Sequence, residues 1–177
     1  MSWRGWGVMK AVSDASVLIH LARVGYFYLL RSLYEEIMIA TGVYLEAVDR
    51  GWGFPGSFET EEAIREGWVK VRSVGDKAGV ADLMRRYGIS LGNAETVQLA
   101  VEGGAEVALA DEADVRELLE KHGVKVRGCI GVVIEAARRG VIGRNEAKKG
   151  LERLVESGYR VSDKVLNRAY QLLGEER

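Results

Sequence analysis

Val12-Ser13-Asp14-Ala15-Ser16-Val17-Leu18-Ile19 is the stretch whose reading decides the fold. The run before it, Val8-Met9-Lys10-Ala11-Val12, is apolar enough to predict a strand, and it ends in an acid. Val17, Leu18, Leu21 and Val24 then recur at helical spacing until Gly25 stops them. In an open α/β sheet such a junction lies at the carboxyl edge, where ligands bind. Two readings of Asp14 stand open at this point. It caps the helix that follows, or it is the first oxygen donor of an acidic metal site.

The same pattern repeats outward from there. Tyr26 to Leu33 predicts a short helix, and Ile37-Met38-Ile39-Ala40 a second strand. Thr41 then reads as the cap of a helix carrying Val43, Tyr44, Ala47 and Val48, with Glu46 in its second turn. Gly51-Trp52-Gly53-Phe54-Pro55-Gly56 holds the only proline and three glycines, and reads as a loop. A helix from Thr60 to Glu66, a strand from Trp68 to Val71, and a helix marked by Val80, Leu83, Met84 and Tyr87 follow.

Leu91-Gly92-Asn93-Ala94-Glu95 opens the next helix, whose predicted inner face is Ala94, Val97 and Val101, with Glu95 beside it. Val107-Ala108-Leu109-Ala110 is apolar on both faces, as a central parallel strand requires, and it ends in Asp111. Val115, Leu118, Leu119 and His122 give the next helical stripe, and Val124-Lys125-Val126 a short strand. Three helices close the chain, on Ile130, Val133, Ile134 and Ala137, then Ala147, Leu151, Leu154 and Val155, then Val165, Leu166, Ala169 and Leu173. Ser162 reads as the cap of the last.

Alternating strands and helices imply an α/β fold, a parallel sheet covered on both faces in three α/β/α layers. Residues 1–177 read as a single domain, with 128–177 a helical C-terminal extension packed on it.

Composition excludes several classes. A net charge of −1 gives no global basic field. The single cysteine, Cys129, rules out an intrachain disulfide and a cysteine cluster. With His20 and His122 the only histidines, a metal site must lean on carboxylates. His20 falls outside its helix's apolar stripe and reads as a surface or partly packed residue. The N-terminus, with Trp3 and Trp6, lacks a signal peptide's apolar core, and no apolar run approaches the ~20 residues of a membrane span. The expectation is a cytoplasmic protein with no membrane partner.

Asp14 and Asp111 both end central-type strands and so should share one sheet edge, with Glu46 and Glu95 near helix starts that flank it. Oxygens gathered there suit Mg²⁺ or Mn²⁺. The plainer reading is capping for Asp14 and Asp111, with Asp114 completing a loose capping box. Surface solvation is the default for Glu46, Glu95 and Asp114 in a chain with 26 acids.

The blocks Val12 to Ala22, Ile39 to Val48, Leu91 to Ala100, Leu109 to Arg116, Gly128 to Ile142 and Gly158 to Asp163 together resemble a prokaryotic subgroup of PIN domains. The resemblance spans nearly the whole chain after Lys10. It implies a Mg²⁺- or Mn²⁺-dependent endoribonuclease for single-stranded RNA, often the toxin of a toxin–antitoxin pair, with an antitoxin partner and a homodimeric state. By position, Asp14, Glu46, Glu95 and Asp111 match the family's metal-binding and catalytic acids. Ser16 and Arg116 match supporting positions, and Asp114 is a further candidate as an outer ligand. Departures from the subgroup are Ala94, preceded by Asn93, where a glycine usually precedes the mid-chain acid; Thr41 for a proline; and Arg138 for a lysine.

The candidates for RNA contact are Arg85 and Arg86, then Arg138, Arg139, Arg144, Lys148 and Lys149, with solvated helix faces as the plainer reading. Trp52, in the glycine loop, is the tryptophan placed to stack on a base, whereas Trp68 heads a strand and reads as core. The rival function is a catalytically silent PIN-fold module that binds RNA or protein. A phosphate-transfer receiver is disfavoured, because Ser13-Asp14-Ala15 lacks that fold's paired acids.

Overall fold

The computed structural model describes residues 9–175. The first half of the chain forms β1 (Lys10–Ser13), α1 (Ala15–Arg23), α2 (Tyr28–Leu33), β2 (Glu36–Ala40), α3 (Thr41–Tyr44), α4 (Ser57–Glu66), β3 (Val69–Arg72) and α5 (Lys77–Tyr87). It continues as α6 (Leu91–Gly103), β4 (Val107–Leu109), α7 (Ala113–Lys121), β5 (Lys125–Arg127), α8 (Cys129–Arg138), α9 (Arg144–Glu156) and α10 (Asp163–Glu175).

All five strands pair in parallel, in the order β3-β2-β1-β4-β5. The chain builds outward from β1 to β3, then returns to the other flank for β4 and β5. The switch point therefore lies between β1 and β4. That is the crevice where open α/β sheets bind ligands, and Asp14 and Asp111 follow its two strands. Ala11, Val12, Ala108 and Leu109 are fully buried, since each face of these two strands is covered by helices. One apolar cluster runs from Ala11 to Leu173, so α9 and α10 share their core with the sheet through Leu151, Leu154, Ala169 and Leu173.

Several boundaries differ from the sequence reading, each for a physical reason. β1 reaches Ser13 rather than stopping at Val12, because the Asp14 amide continues the ladder by donating to the Leu109 carbonyl at 3.0 Å. The expected start of that strand, Val8, lies outside the described residues. Thr41 is exposed and does not cap. Ala40 holds the cap position, and the Gly42 amide donates to the Glu95 carboxylate at 2.6 Å. A carboxylate from α6, distant in sequence, thus takes the role assigned to a local hydroxyl. The helix then widens into a single π-turn over Leu45–Asp49, a rare form that clusters at functional sites.

Val101, Val155 and Val165, placed on inner faces by periodicity, are 45%, 42% and 49% exposed, and His122 is exposed as well. Apolar residues at the margin of a helical stripe follow the packing partner rather than the count. The cap at Ser162 is present, with the Val165 amide donating to Oγ at 3.3 Å.

The α3–α6 crossing is close enough to need glycine. A Cβ on Gly42 would lie 2.7 Å from Glu95 Oε2 and 3.2 Å from both the Cα and the amide of Gly92. Gly42→Ala is expected to cost about 1–3 kcal/mol through overpacking. The check is a lower urea midpoint with an unchanged m value.

Candidate active site

Asp14 is fully buried at the N-terminus of α1. Its Oδ1 accepts the Val17 amide at 2.9 Å, while Oδ2, equally buried, has no partner among the described residues. One oxygen caps the helix and the other is left over. Burial pushes this carboxyl up to about 8 against the pull of the Val17 amide and, more weakly, of the Asp111 amide, and the charges of Asp111 and then Glu112 push the same way as burial. A buried, half-satisfied acid beside two more acids is costly unless a cation or proton answers it.

Asp111 is held in a definite orientation. The Cys129 amide, at the start of α8, donates to Oδ1 at 2.9 Å, and the Tyr159 hydroxyl donates to the same oxygen at 2.5 Å. The Cys129 thiol donates to Oδ2 at 3.0 Å. Asp111 therefore caps α8 rather than the helix that follows it in sequence, α7, whose cap position is Glu112. A carboxylate offers about four lone-pair sites, so three donors leave one open. Burial and then the negative charge of Asp111 hold the Cys129 thiol and the Tyr159 phenol well above their usual ranges, keeping both as donors. His20 stands edge-on to the Tyr159 ring at 5.2 Å. Its buried Nδ1 has no partner among the described residues.

Glu46, in the π-turn, is raised by burial and then by the charge of Glu112, with Arg50 opposing. Asp14, Asp111, Glu112 and Glu46 thus form one electrostatically linked group. Glu112 is the member the sequence reading missed, and its position directly after Asp111 was the available signal. Glu95, counted there as the mid-chain acid, is tied to a different partner. It satisfies Gly42 and borders a hollow with Thr41, Ser73 and Lys77 on the β3 side. Asn93 takes the inward position on α6. It is 7% exposed, and its Nδ2 donates to Glu112 Oε2 at 2.9 Å. Residues two apart lie on opposite sides of a helix, so α6 presents Asn93 or Glu95 to the cluster but not both.

Of the supporting positions, Ser16 is half-buried in the first turn of α1 and Asp114 is exposed in the first turn of α7. Arg116 donates from Nη1 to the Ala110 carbonyl at 3.1 Å, which places its guanidinium beside Asp111.

A family model described as DUF3368: PIN domain matches residues 10–175. The chain belongs to the PIN-domain family. PIN domains are typically nucleases and generally use divalent metal ions. Among solved structures, a PilT N-terminus domain protein from the archaeon Sulfolobus solfataricus P2 is similar at 17% identity, over 72% of this chain and 93% of that one, with a TM-score of 0.45. The comparison with curated proteins returned no match.

The donor set of this PIN domain fits Mg²⁺ or Mn²⁺. Among the described residues, no three His, Cys, Asp or Glu side chains converge on one point. Mg²⁺ does not need three, because it retains waters and binds through one or two carboxylates plus substrate phosphate. The unpartnered Asp14 Oδ2 and the open lone pair on Asp111 supply hard oxygens of that kind.

The basic residues singled out from the sequence are placed less usefully. Arg85 and Arg86 both pair with Asp82, and Arg139 is tied to Glu135 and the Leu33 carbonyl. Trp68 is buried, as expected, whereas Trp52, Phe54 and Phe58 are 72%, 70% and 63% exposed just after the π-turn. Trp3 and Trp6 lie outside the described residues. No helix among the described residues is long and apolar enough to cross a membrane.

Proposed function

We propose that this PIN domain is a metal-dependent endoribonuclease hydrolysing phosphodiester bonds of single-stranded RNA, with Asp14 as its central carboxylate. The observation that carries this reading is the fully buried Asp14, with one oxygen unpartnered and two further acids beside it, at the sheet's switch point. A bound Mg²⁺ or Mn²⁺ would activate water and offset charge developing on the scissile phosphate. Asp14 Oδ2 and Asp111 would hold it, with Glu112 and Glu46 adding negative charge at the rim. Cys129 and Tyr159 fix the Asp111 carboxylate, and Asn93 fixes Glu112. Such outer partners ordinarily tune metal affinity and activity by 10–100-fold. Action as the toxin of a toxin–antitoxin pair belongs to the same proposal, with an antitoxin covering these acids.

The test is cleavage of unstructured oligoribonucleotides by the full chain with Mn²⁺, with Mg²⁺, and with chelator. Products that appear only with metal support the reading, and intact substrate under all three conditions sinks it. One observation favours a second reading, the catalytically silent module: α6 offers the amide of Asn93 where a further carboxylate would fit. Calorimetric titration with Mn²⁺ separates the two, since a silent module need not bind the ion.

Glu112 and Glu95 are expected to behave differently. Glu112→Gln should weaken Mn²⁺ binding about 10–100-fold. Glu95→Gln should leave Mn²⁺ affinity within a few-fold of wild type, because its carboxylate serves the α3 amide. Equal losses in the two variants would return Glu95 to the site.

A further inference from the structure

A groove of about 810 Å³ opens between β5, the start of α8, and α10, with Asp111 and Arg116 among the residues that line it. Its lining is largely apolar, with Val126, Ile130, Ile134, Val165 and Leu172, and the charged residues in it, among the described residues, are Arg116, Arg127, Arg160, Lys164 and Arg168 against Asp111. In a chain of net charge −1, five positive side chains to one negative is a local separation of charge. Three of the five have other work to do. Arg116 donates to the Ala110 carbonyl, Arg127 donates to the Tyr34 hydroxyl and pairs with Glu135, and Arg168 has an interaction of its own. Arg160 and Lys164 are exposed and make no ion pair or hydrogen bond through their side chains among the described residues.

We propose that this groove is the bed for the backbone of a single-stranded nucleic acid whose reacting phosphate lies at the acidic cluster. The inference rests on reading that cluster as the reacting centre. Two features select the occupant. The charged lining of the groove is mostly positive while the cluster beside it is negative, so a polyanion is attracted along the groove and is repelled at the cluster unless a cation bridges it there. Asp111 both lines the groove and belongs to the cluster, so one occupant can meet both. An acidic peptide could match the charge, but it supplies no phosphate to the carboxylates.

Binding is measured with a fluorescent ten-nucleotide oligouridylate, in chelator, on the full chain carrying Asp14→Asn so that no turnover intervenes. Adding Arg160→Glu and Lys164→Glu together should weaken binding at least tenfold. It should also flatten the dependence of log affinity on log salt by about 1.4, since each lost phosphate contact removes about 0.7 on a single strand. The neutral pair, Arg160→Gln with Lys164→Gln, should fall in between. Lys148→Glu with Lys149→Glu, exposed cations outside the groove, should change affinity less than threefold.

Equal losses in the two charge-reversed pairs would overturn the proposal, because general charge would then explain binding. So would unchanged affinity in the groove variant, or a deca-glutamate peptide that binds the groove when the oligouridylate does not. The nuclease reading fails separately, when wild-type protein with metal leaves RNA intact although the groove-dependent binding is present.

Discussion

Asp14→Asn is expected to do two opposite things, abolishing metal-dependent cleavage and stabilising the metal-free protein at alkaline pH. The first follows from losing a buried carboxylate oxygen that has no partner among the described residues. The second follows from proton linkage. The Asp14 carboxyl is raised from 3.8 to about 8 in the fold. The native state therefore holds a proton that the unfolded chain gives up. Its contribution is fully present below about pH 4 and is lost as pH rises through 8. A displacement of that size is worth on the order of 5 kcal/mol at full deprotonation.

An asparagine keeps the oxygen that accepts from Val17 and carries no charge, although its buried amide hydrogens cost back about 1–3 kcal/mol. Thermal unfolding in chelator from pH 4 to pH 9 reads the difference. The wild-type midpoint should decline relative to the variant's as pH rises, leaving the variant several degrees higher at pH 8. Addition of Mn²⁺ should reverse the order, because only the wild type gains from binding. Parallel pH curves for the two proteins would mean that Asp14 does not titrate in this range.

Gly128→Ala is the second large effect, and its cause is steric rather than electrostatic. Gly128 has extended backbone at φ −92°, ψ −174°, which any residue adopts. An added Cβ would nevertheless stand 2.5 Å from Asp111 Oδ1 and 3.0 Å from Arg116 Nη1. Asp111 has a short side chain held by Cys129 and Tyr159, so it cannot yield without breaking those bonds. A 10–100-fold fall in kcat is expected, with about 1–3 kcal/mol of lost stability. Tyr159→Phe, which removes one of the three donors and adds no bulk, should cost less on both counts. Full activity in Gly128→Ala would show that the observed Asp111 orientation is not the working one.

How far the sequence carried this reading varies with the range of the interaction. The strand-acid-helix junction at Asp14 and its counterpart at Asp111 follow from local apolar pattern, and they put both acids on the correct sheet edge. The choice between cap and ligand at Asp14 stayed open because both roles want an acid there, and the side chain has an oxygen for each. Glu95 was counted with the cluster because proximity in sequence to a helix start cannot tell which way that helix is turned. A rotation set by the packing of α6 on α3, α5 and the sheet sends Asn93 inward and Glu95 outward. Of the groove cations only Arg116 was singled out from the sequence, for a related reason. Arg127, Arg160 and Lys164 come from separate elements, while the runs 85–86 and 138–149 drew attention by being adjacent in sequence.

The sequence by itself determined the layer order, the parallel sheet, the family and the edge where chemistry would gather, because these depend on periodicity and on order along the chain. Tertiary structure alone decided that Asp14 keeps one oxygen unpartnered, that Cys129 and Tyr159 aim Asp111, and that Glu112 rather than Glu95 joins it. Those outcomes depend on helix rotation and on contacts between residues 18 to 53 positions apart, and no local pattern encodes either.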